Sequence, residues 1–420
     1  MAFFAVAASA MLSVAAAVTS QSYVTRGLVA SYDAIDNAGV GVHDNAATKW
    51  KDLTGNGFDG TVASTVQWTD NAWTNGVDGR PIALGAALDP VLSKGIFTIQ
   101  FVCTPLNTSS RKAFFGQYVG DTTPAGLNIE HNNSASSEGK MRFYRNHTYI
   151  AGTQTKQIAT FDWMSAGTAQ GGEWMSASYV VGPSSVDLWV NGGATHETRN
   201  GTVGAASATS PCYIGGEPCR PAMAFRGAYN AFRLYNRALT EAEVKVNAAV
   251  DAIRYNGANA GDFTLAGGYA FDANGDITIT LSAAAADGGT VSVGGGTAGT
   301  TASVTMAQLA GTPTVFAATP PEGYAFKEWT GDVETIASGS KYDASVTVSA
   351  TYPVVLTATF RRKGELTAQS YVRWGLAACY DGIENAGYGT HDANATKWKD
   401  LSGHGLDGVC AQQLTWGEKG

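Results

Sequence analysis

The chain has 420 residues, with 27 Lys and Arg against 35 Asp and Glu, and a formal net charge of −8. The cations stand singly and form no basic stripe that could neutralise phosphates, so nucleic acid is excluded as an expected partner. With 51 glycines, few long apolar runs and many aromatic or β-branched triplets, the composition favours short strands and tight turns, hence an all-β protein of roughly two to four domains.

Residues 1–20, MAFFAVAASAMLSVAAAVTS, read as a signal-peptide-like segment with an A-x-A site at Ala15 to Ala17. They lack a basic n-region, since the first cation is Arg26, and a buried apolar strand or helix is the competing reading. No other stretch approaches the ~20 apolar residues of a membrane-spanning helix.

The stretch from His43, HDNAATKWKDLTGNGFDG, returns from His391 as HDANATKWKDLSGHGLDG. Residues 22–62 and 370–410 agree at roughly two positions in three, so a module is duplicated. The first copy is expected over 22–256. The second, over 370–420, supplies only the start of such a module.

From Leu28 to Val244 the chain reads as strands cut by turn residues: GLVASYDA, FTIQFVCTP, AFFGQYVG, GLNIE, MRFYRN, SASYVVG, VDLWVNG, CYIGG and AFRGAYNAFRLYN. Asn-Gly steps in DLTGNGFDG and WVNGG accept the positive φ of a tight turn. One helix is expected, in LTEAEVKVNAAVDAIRYNG. Thr240 and Glu243 form a capping box, Leu239 and Val244 a hydrophobic staple, and Asn256-Gly257 the stop. Residues 263–363 form a second, smaller β domain, with period-two faces at Ile277, Ile279 and Leu281 and a Pro320-Pro321 turn ahead of Tyr324, Phe326 and Trp329.

Five cysteines fit an oxidising compartment. Cys212 and Cys219 bracket a Gly-Gly turn and could bridge. Cys379 and Cys410 replace Ser31 and Val62 of the first copy together, as a bridge would require. Five thiols are the alternative, with Cys103 an ordinary buried one.

The order of these pieces is specific. GLVASYDA, KDLTGNGFDGTV, GEWMSASYVVGPSSVDLWVNGG and YIGGEPCRPAMAFRGAYNAFRLYNRALTEAEV together resemble the LamG-like jelly-roll domains of the concanavalin-like lectin and glucanase superfamily. GGTVSV, ATPPEGYAFKEWTGD and VVLTATF resemble the divergent B-type repeats of bacterial surface proteins such as internalins. The resemblance implies a two-sheet jelly-roll sandwich with one C-terminal helix, then a small β-rich repeat domain, in a secreted or cell-surface bacterial protein.

Catalysis is not expected. No E-x-D-x-x-E strand, H-E-x-x-H, G-x-S-x-G or P-loop occurs. Asp33, Asp36, Asp44, Asp52 and Asp59 offer hard oxygens suited to calcium, the one cofactor considered, while Asx turns account for the same pattern. FDANGDITI has Ile277 where a calcium loop needs glycine, so a plain turn is expected there. Trp68, Trp73, Tyr144 and Trp163 are the candidate glycan-stacking rings, with Trp174 beside them; Trp50, Trp174, Trp189 and Trp329 fall where the resembled families bury them. The expected function is a non-catalytic extracellular binding or adhesion protein, with a glycan or a surface protein as partner. A structural spacer, and the targeting portion of a larger glycan-active enzyme, are the alternatives.

Overall fold

A computed structural model of the protein describes residues 18–106, 111–117, 127–132, 140–150, 153–162, 172–200, 211–363, 367–410 and 414–417. Residues 1–17 of the signal-like segment lie outside the described residues. The chain divides into two units. One holds residues up to 279 with 306–311 and 351–353; the other holds 280–305, 312–350 and 354 onward.

The first unit is an all-β sandwich of two antiparallel sheets. One runs in the order Thr195–Asn200, Ser185–Val190, Met175–Val181, Phe97–Pro105, Gly227–Tyr235, Ala72–Asn75 and Val66–Thr69, with Leu28–Asp33 also on Gly227–Tyr235. The other runs Thr153–Asp162, Lys140–Ile150, Asn128–Asn132, Lys112–Gly116, Cys212–Ile214, Ile82–Gly85, Gly60–Val62 and Lys49–Trp50. The opening strand Leu28–Asp33 therefore depends on the closing strand Gly227–Tyr235, some 200 residues away, for its hydrogen bonds.

Between the sheets lies an aromatic core. Trp73 stacks on Tyr229 at 5.0 Å and Phe101 on Phe114 at 4.7 Å, with Trp50 edge-on to Trp73 and Tyr229. Offset stacks and edge-to-face contacts are the favoured geometries of such rings. Phe97–Pro105 and Met175–Val181 are buried along nearly their whole length because their second face is covered as well.

That cover includes the helix Glu241–Asn256. Thr240 accepts from the amide of Glu243 while Glu243 accepts from the amide of Thr240, and Gly257 closes the helix in the left-handed region at φ 68°. Leu239 and Val244 are both buried, as a staple requires. The helix docks through polar contacts: Asn247 donates to Gln100 at 2.7 Å, and Asp251 accepts from Ser176 at 2.6 Å and from Arg233 at 2.7 Å.

In the second unit Leu281 to Ala285 pair in parallel with Val354 to Ala358, and Tyr324–Gly331 pairs antiparallel with the same strand, Val354–Arg362. A second sheet runs Thr290–Val293, Thr314–Thr319, Ser345–Val348 and Ile336–Ser338. Trp329, on Tyr324–Gly331, is buried between the two sheets, edge-on to Phe316 and held by its indole N–H on the Asp343 carbonyl. In the same unit, among the described residues from 367 onward, Lys397–Trp398 pairs with Gly408–Val409 as a two-stranded ribbon.

Candidate functional site

A concavity of about 430 Å³ opens in the first unit beside the helix Glu241–Asn256. Three pieces of sequence shape it. Trp174 directly precedes Met175–Val181, the hairpin turn at Asn191 and Gly192 adopts φ 50° and 68°, and residues 258–265 follow the helix. An Asn-Gly turn reaches the left-handed region at little cost, which places this turn against the helix. Lys245 and Asn256 from the helix, with Phe263 and Leu265, complete the wall, and Ala248 and Ala252 keep the floor shallow. The Trp174 Nε1 is buried with no hydrogen-bond partner among the described residues. A partly exposed indole, an amide and an ammonium around an apolar floor can hold a ring by one face and select its hydroxyls.

A second polar centre lies on the sheet that contains Asn128–Asn132. Ile129, Met141 and Phe143 point into the core, so alternation puts Asn128, Glu130 and Arg142 on the opposite face. The Asn128 Nδ2 donates to Glu217 at 3.1 Å and reaches Glu130 at 3.4 Å, bridging two carboxylates that are almost wholly buried. Arg111 and Arg142 approach Glu130 at 3.4 and 3.7 Å, and Arg220 approaches Glu217 at 3.7 Å. Burial, reinforced by the charge of Glu130, raises the Glu217 carboxyl to about 7, against the pull of Arg220, Arg111 and the Asn128 hydrogen bond. Glu217 can therefore gain and lose a proton near neutral pH. Gly116 makes room for the bridge: a Cβ there would stand 2.6 Å from the Asn128 Oδ1 and 2.7 Å from the Glu217 Cβ.

The expected stacking rings fare differently. Trp73 is a core residue with no exposed surface, a correction to its place among the surface rings, because Ala72–Asn75 lies inside the sheet and turns the indole onto Tyr229. Trp68 is half-buried, packed on Trp50 and donating to the Ala47 carbonyl at 2.9 Å. Tyr144 lies in Lys140–Ile150, paired with Asn128 and Ile158, but its side chain lies outside the description. Trp163 lies outside the described residues. Trp50 and Trp329 are buried, whereas Trp189 is half-buried and stacked on His196 at 3.6 Å.

The aspartates do not converge. Among the described residues no three Asp, Glu, His or Cys side chains gather as a metal site. Asp33 and Asp36 face Arg254 at 2.7 and 3.8 Å. Asp52 accepts from the amides of Ser31, Thr54 and Phe58; Asp59 takes the Asp52 amide and Lys51; Asp44 caps the Ala46 amide. These oxygens shape turns and buried pairs, as Asx turns do. Asp272 likewise closes a turn on the amides of Asn274 and Asp276.

The cysteines are thiols, one of the two readings that the sequence left open. Cys212 faces the core beside the Gln117 amide, at 2.9 Å, while Cys219 sits on an exposed loop. Cys379 and Cys410 are half-buried: the Cys379 amide donates to the Asp400 carboxylate and its carbonyl accepts from the Leu401 amide, while the Cys410 amide donates to the Thr396 carbonyl.

Composition and spacing had pointed to none of Asn128, Glu130 and Glu217. The alternation in LNIE and the Glu that follows Gly215-Gly216 were the available signals.

Residues 81–245 match the family model of the concanavalin A-like lectin/glucanases superfamily, and residues 279–364 that of the divergent InlB B-repeat domain. The chain thus contains a concanavalin A-like domain followed by a B-repeat domain. No curated protein matches it. Among solved structures it is similar to the Trypanosoma rangeli sialidase in complex with sialic acid, at 16% identity and TM-score 0.38, over 55% of this chain and 34% of that one. It is also similar to domain 4 of an extracellular arabinanase from Geobacillus stearothermophilus in complex with arabinotriose, at 20% identity and TM-score 0.36, over 52% of this chain and 96% of that one. The chain spans about a third of the sialidase. No described helix is long and apolar enough to cross a membrane.

Proposed function

We propose that the concanavalin A-like domain is a non-catalytic glycan-binding module of an extracellular, surface-associated bacterial protein. The observation that carries this is the concavity at Trp174, where an indole with an unmatched N–H, the Asn256 amide and the Lys245 ammonium surround an apolar floor. The match of residues 81–245 to a family that includes lectins supports it. Residues 370–420 are the opening of a second such module. Repetition of a binding module raises apparent affinity through effective concentration, which suits capture of a polymer.

The test is a glycan array probed with the whole chain, followed by Trp174→Ala and Asn256→Ala on whichever glycan binds. Loss of about 1 to 3 kcal/mol of binding in each variant with the fold retained supports the reading. Silence across a broad array favours the structural spacer or a protein partner. Binding that survives both variants moves the site elsewhere.

A further inference from the structure

Lys112–Gly116 and Cys212–Ile214 are neighbours in the second sheet of the first unit, joined by the pairs Tyr213 with Gly116 and Ile214 with Phe115. The next step of that antiparallel ladder sets Cys212 opposite Gln117, with both side chains on one face. The Gln117 Nε2 donates to the Cys212 Sγ at 2.9 Å and to the Asp89 Oδ1 at 2.5 Å, and the Gln117 Oε1 accepts from the Leu127 amide at 3.2 Å. All three side chains are nearly sealed from solvent, with Cys212 0%, Gln117 3% and Asp89 9% exposed. Cys103 is as deeply buried, but no side-chain amide hydrogen-bonds to it among the described residues.

These groups are the parts of an acyl transfer. Burial and the charge of Asp89 raise the Cys212 thiol above its ordinary value, against the pull of the Gln117 hydrogen bond, so the sulfur attacks only as its proton leaves. Asp89 can take that proton, because its Oδ1 and the Cys212 Sγ meet at the same amide nitrogen. The Leu127 N–H already sits on the oxygen that gathers negative charge when the amide carbon is attacked. That carbon is one C–N bond of about 1.33 Å from Nε2, hence within about 4.3 Å of Sγ. The broad terminal torsion of glutamine lets its face turn to the sulfur.

We infer that Cys212 and Gln117 form an intramolecular thioester that cross-links these two strands. The bond from the Cys212 Sγ to the Gln117 Cδ forms and the Cδ–Nε2 bond breaks. The thiol proton passes through Asp89 to Nε2, which leaves as ammonia, and nothing is oxidised or reduced. Exclusion of water protects the product from hydrolysis. The link joins positions 95 apart across a ladder of two residue pairs, and it removes entropy from the unfolded chain as any long-loop cross-link does.

The test is the intact mass of the full chain, unfolded in acid without reductant, followed by peptide mapping. The expected result is a chain lighter by one ammonia and a peptide containing Gln117 joined to one containing Cys212. Iodoacetamide is expected to alkylate Cys103 of the unfolded chain and to spare Cys212. Methylamine added to the unfolded chain is expected to return the Cys212 thiol and leave a methylamide at Gln117. In Asp89→Asn the cross-link is expected to accumulate at least about a hundredfold more slowly. Full alkylation of Cys212 in the unfolded chain, with no mass missing, overturns the inference. A missing ammonia without the joined peptides, persisting in Cys212→Ala, belongs to an imide at an Asn-Gly step and overturns it as well. Accumulation in Asp89→Asn at the parent rate overturns the assignment of the base.

Discussion

Arg233 and Asp251 form an ion pair of 2.7 Å in which neither side chain reaches solvent. One lies on the closing strand and the other on the closing helix, so the pair fixes the helix on the sheet. Gln100, Ser176 and Asn247 tie into the same network, and the Arg233 guanidinium lies 3.9 Å over the Tyr23 ring. Ordinary burial of apolar surface could hold the helix without orienting it; the ion pair and its hydrogen bonds specify one orientation.

Asp251→Asn removes one charge and leaves the other buried and uncompensated. The expected cost is about 3 to 5 kcal/mol, read as a lower urea midpoint for the first unit. A cost under about 1 kcal/mol would show that water or rearrangement rescues Arg233.

Glu217 gives the fold a pH dependence. Its carboxyl rises from the ordinary 4.5 to about 7, so the folded state binds the proton more tightly than the unfolded chain. The stabilisation from that proton is complete below 4.5 and is lost as pH rises through about 7. Melting curves between pH 5 and 8 are expected to show stability falling with pH, and Glu217→Gln to flatten that slope. An unchanged slope in the variant would assign the dependence to other groups.

Trp73 and Trp68 separate core from rim. Trp73→Ala opens a cavity in the ring cluster and is expected to cost about 3 to 5 kcal/mol. Trp68→Ala, at a half-buried site, is expected to cost about 1 to 2 kcal/mol. Equal losses by chemical denaturation would contradict the difference in burial.

Thr240 caps the closing helix. Thr240→Ala is expected to lower stability by about 1 kcal/mol, and Thr240→Ser to restore most of it, since a hydroxyl is what the Glu243 amide needs. Thermal denaturation of both variants reads the difference.

Much of this protein is local and was therefore legible. The capping box of Thr240 and Glu243, the Asn191-Gly192 turn, the Asp272 turn and the recurrence of the Trp50 loop at Trp398 depend on residues a few positions apart. Backbone chemistry at that range is written directly in residue types. Alternation and turn residues likewise sufficed for an all-β sandwich.

What only the tertiary structure decided depends on residues far apart in the chain. Trp68 and Trp73 look alike in sequence, and one is core because its strand lies beside Gly227–Tyr235 while the other ends the sheet. Glu130 and Glu217 share one amide although 87 positions separate them, as their numbers show, and the shifted carboxyl arises from that meeting together with burial. Asp33 meets Arg254 for the same reason, across more than 200 positions. Side-chain chemistry is set by what surrounds it, and in a jelly roll the neighbours come from strands that only long-range pairing brings together.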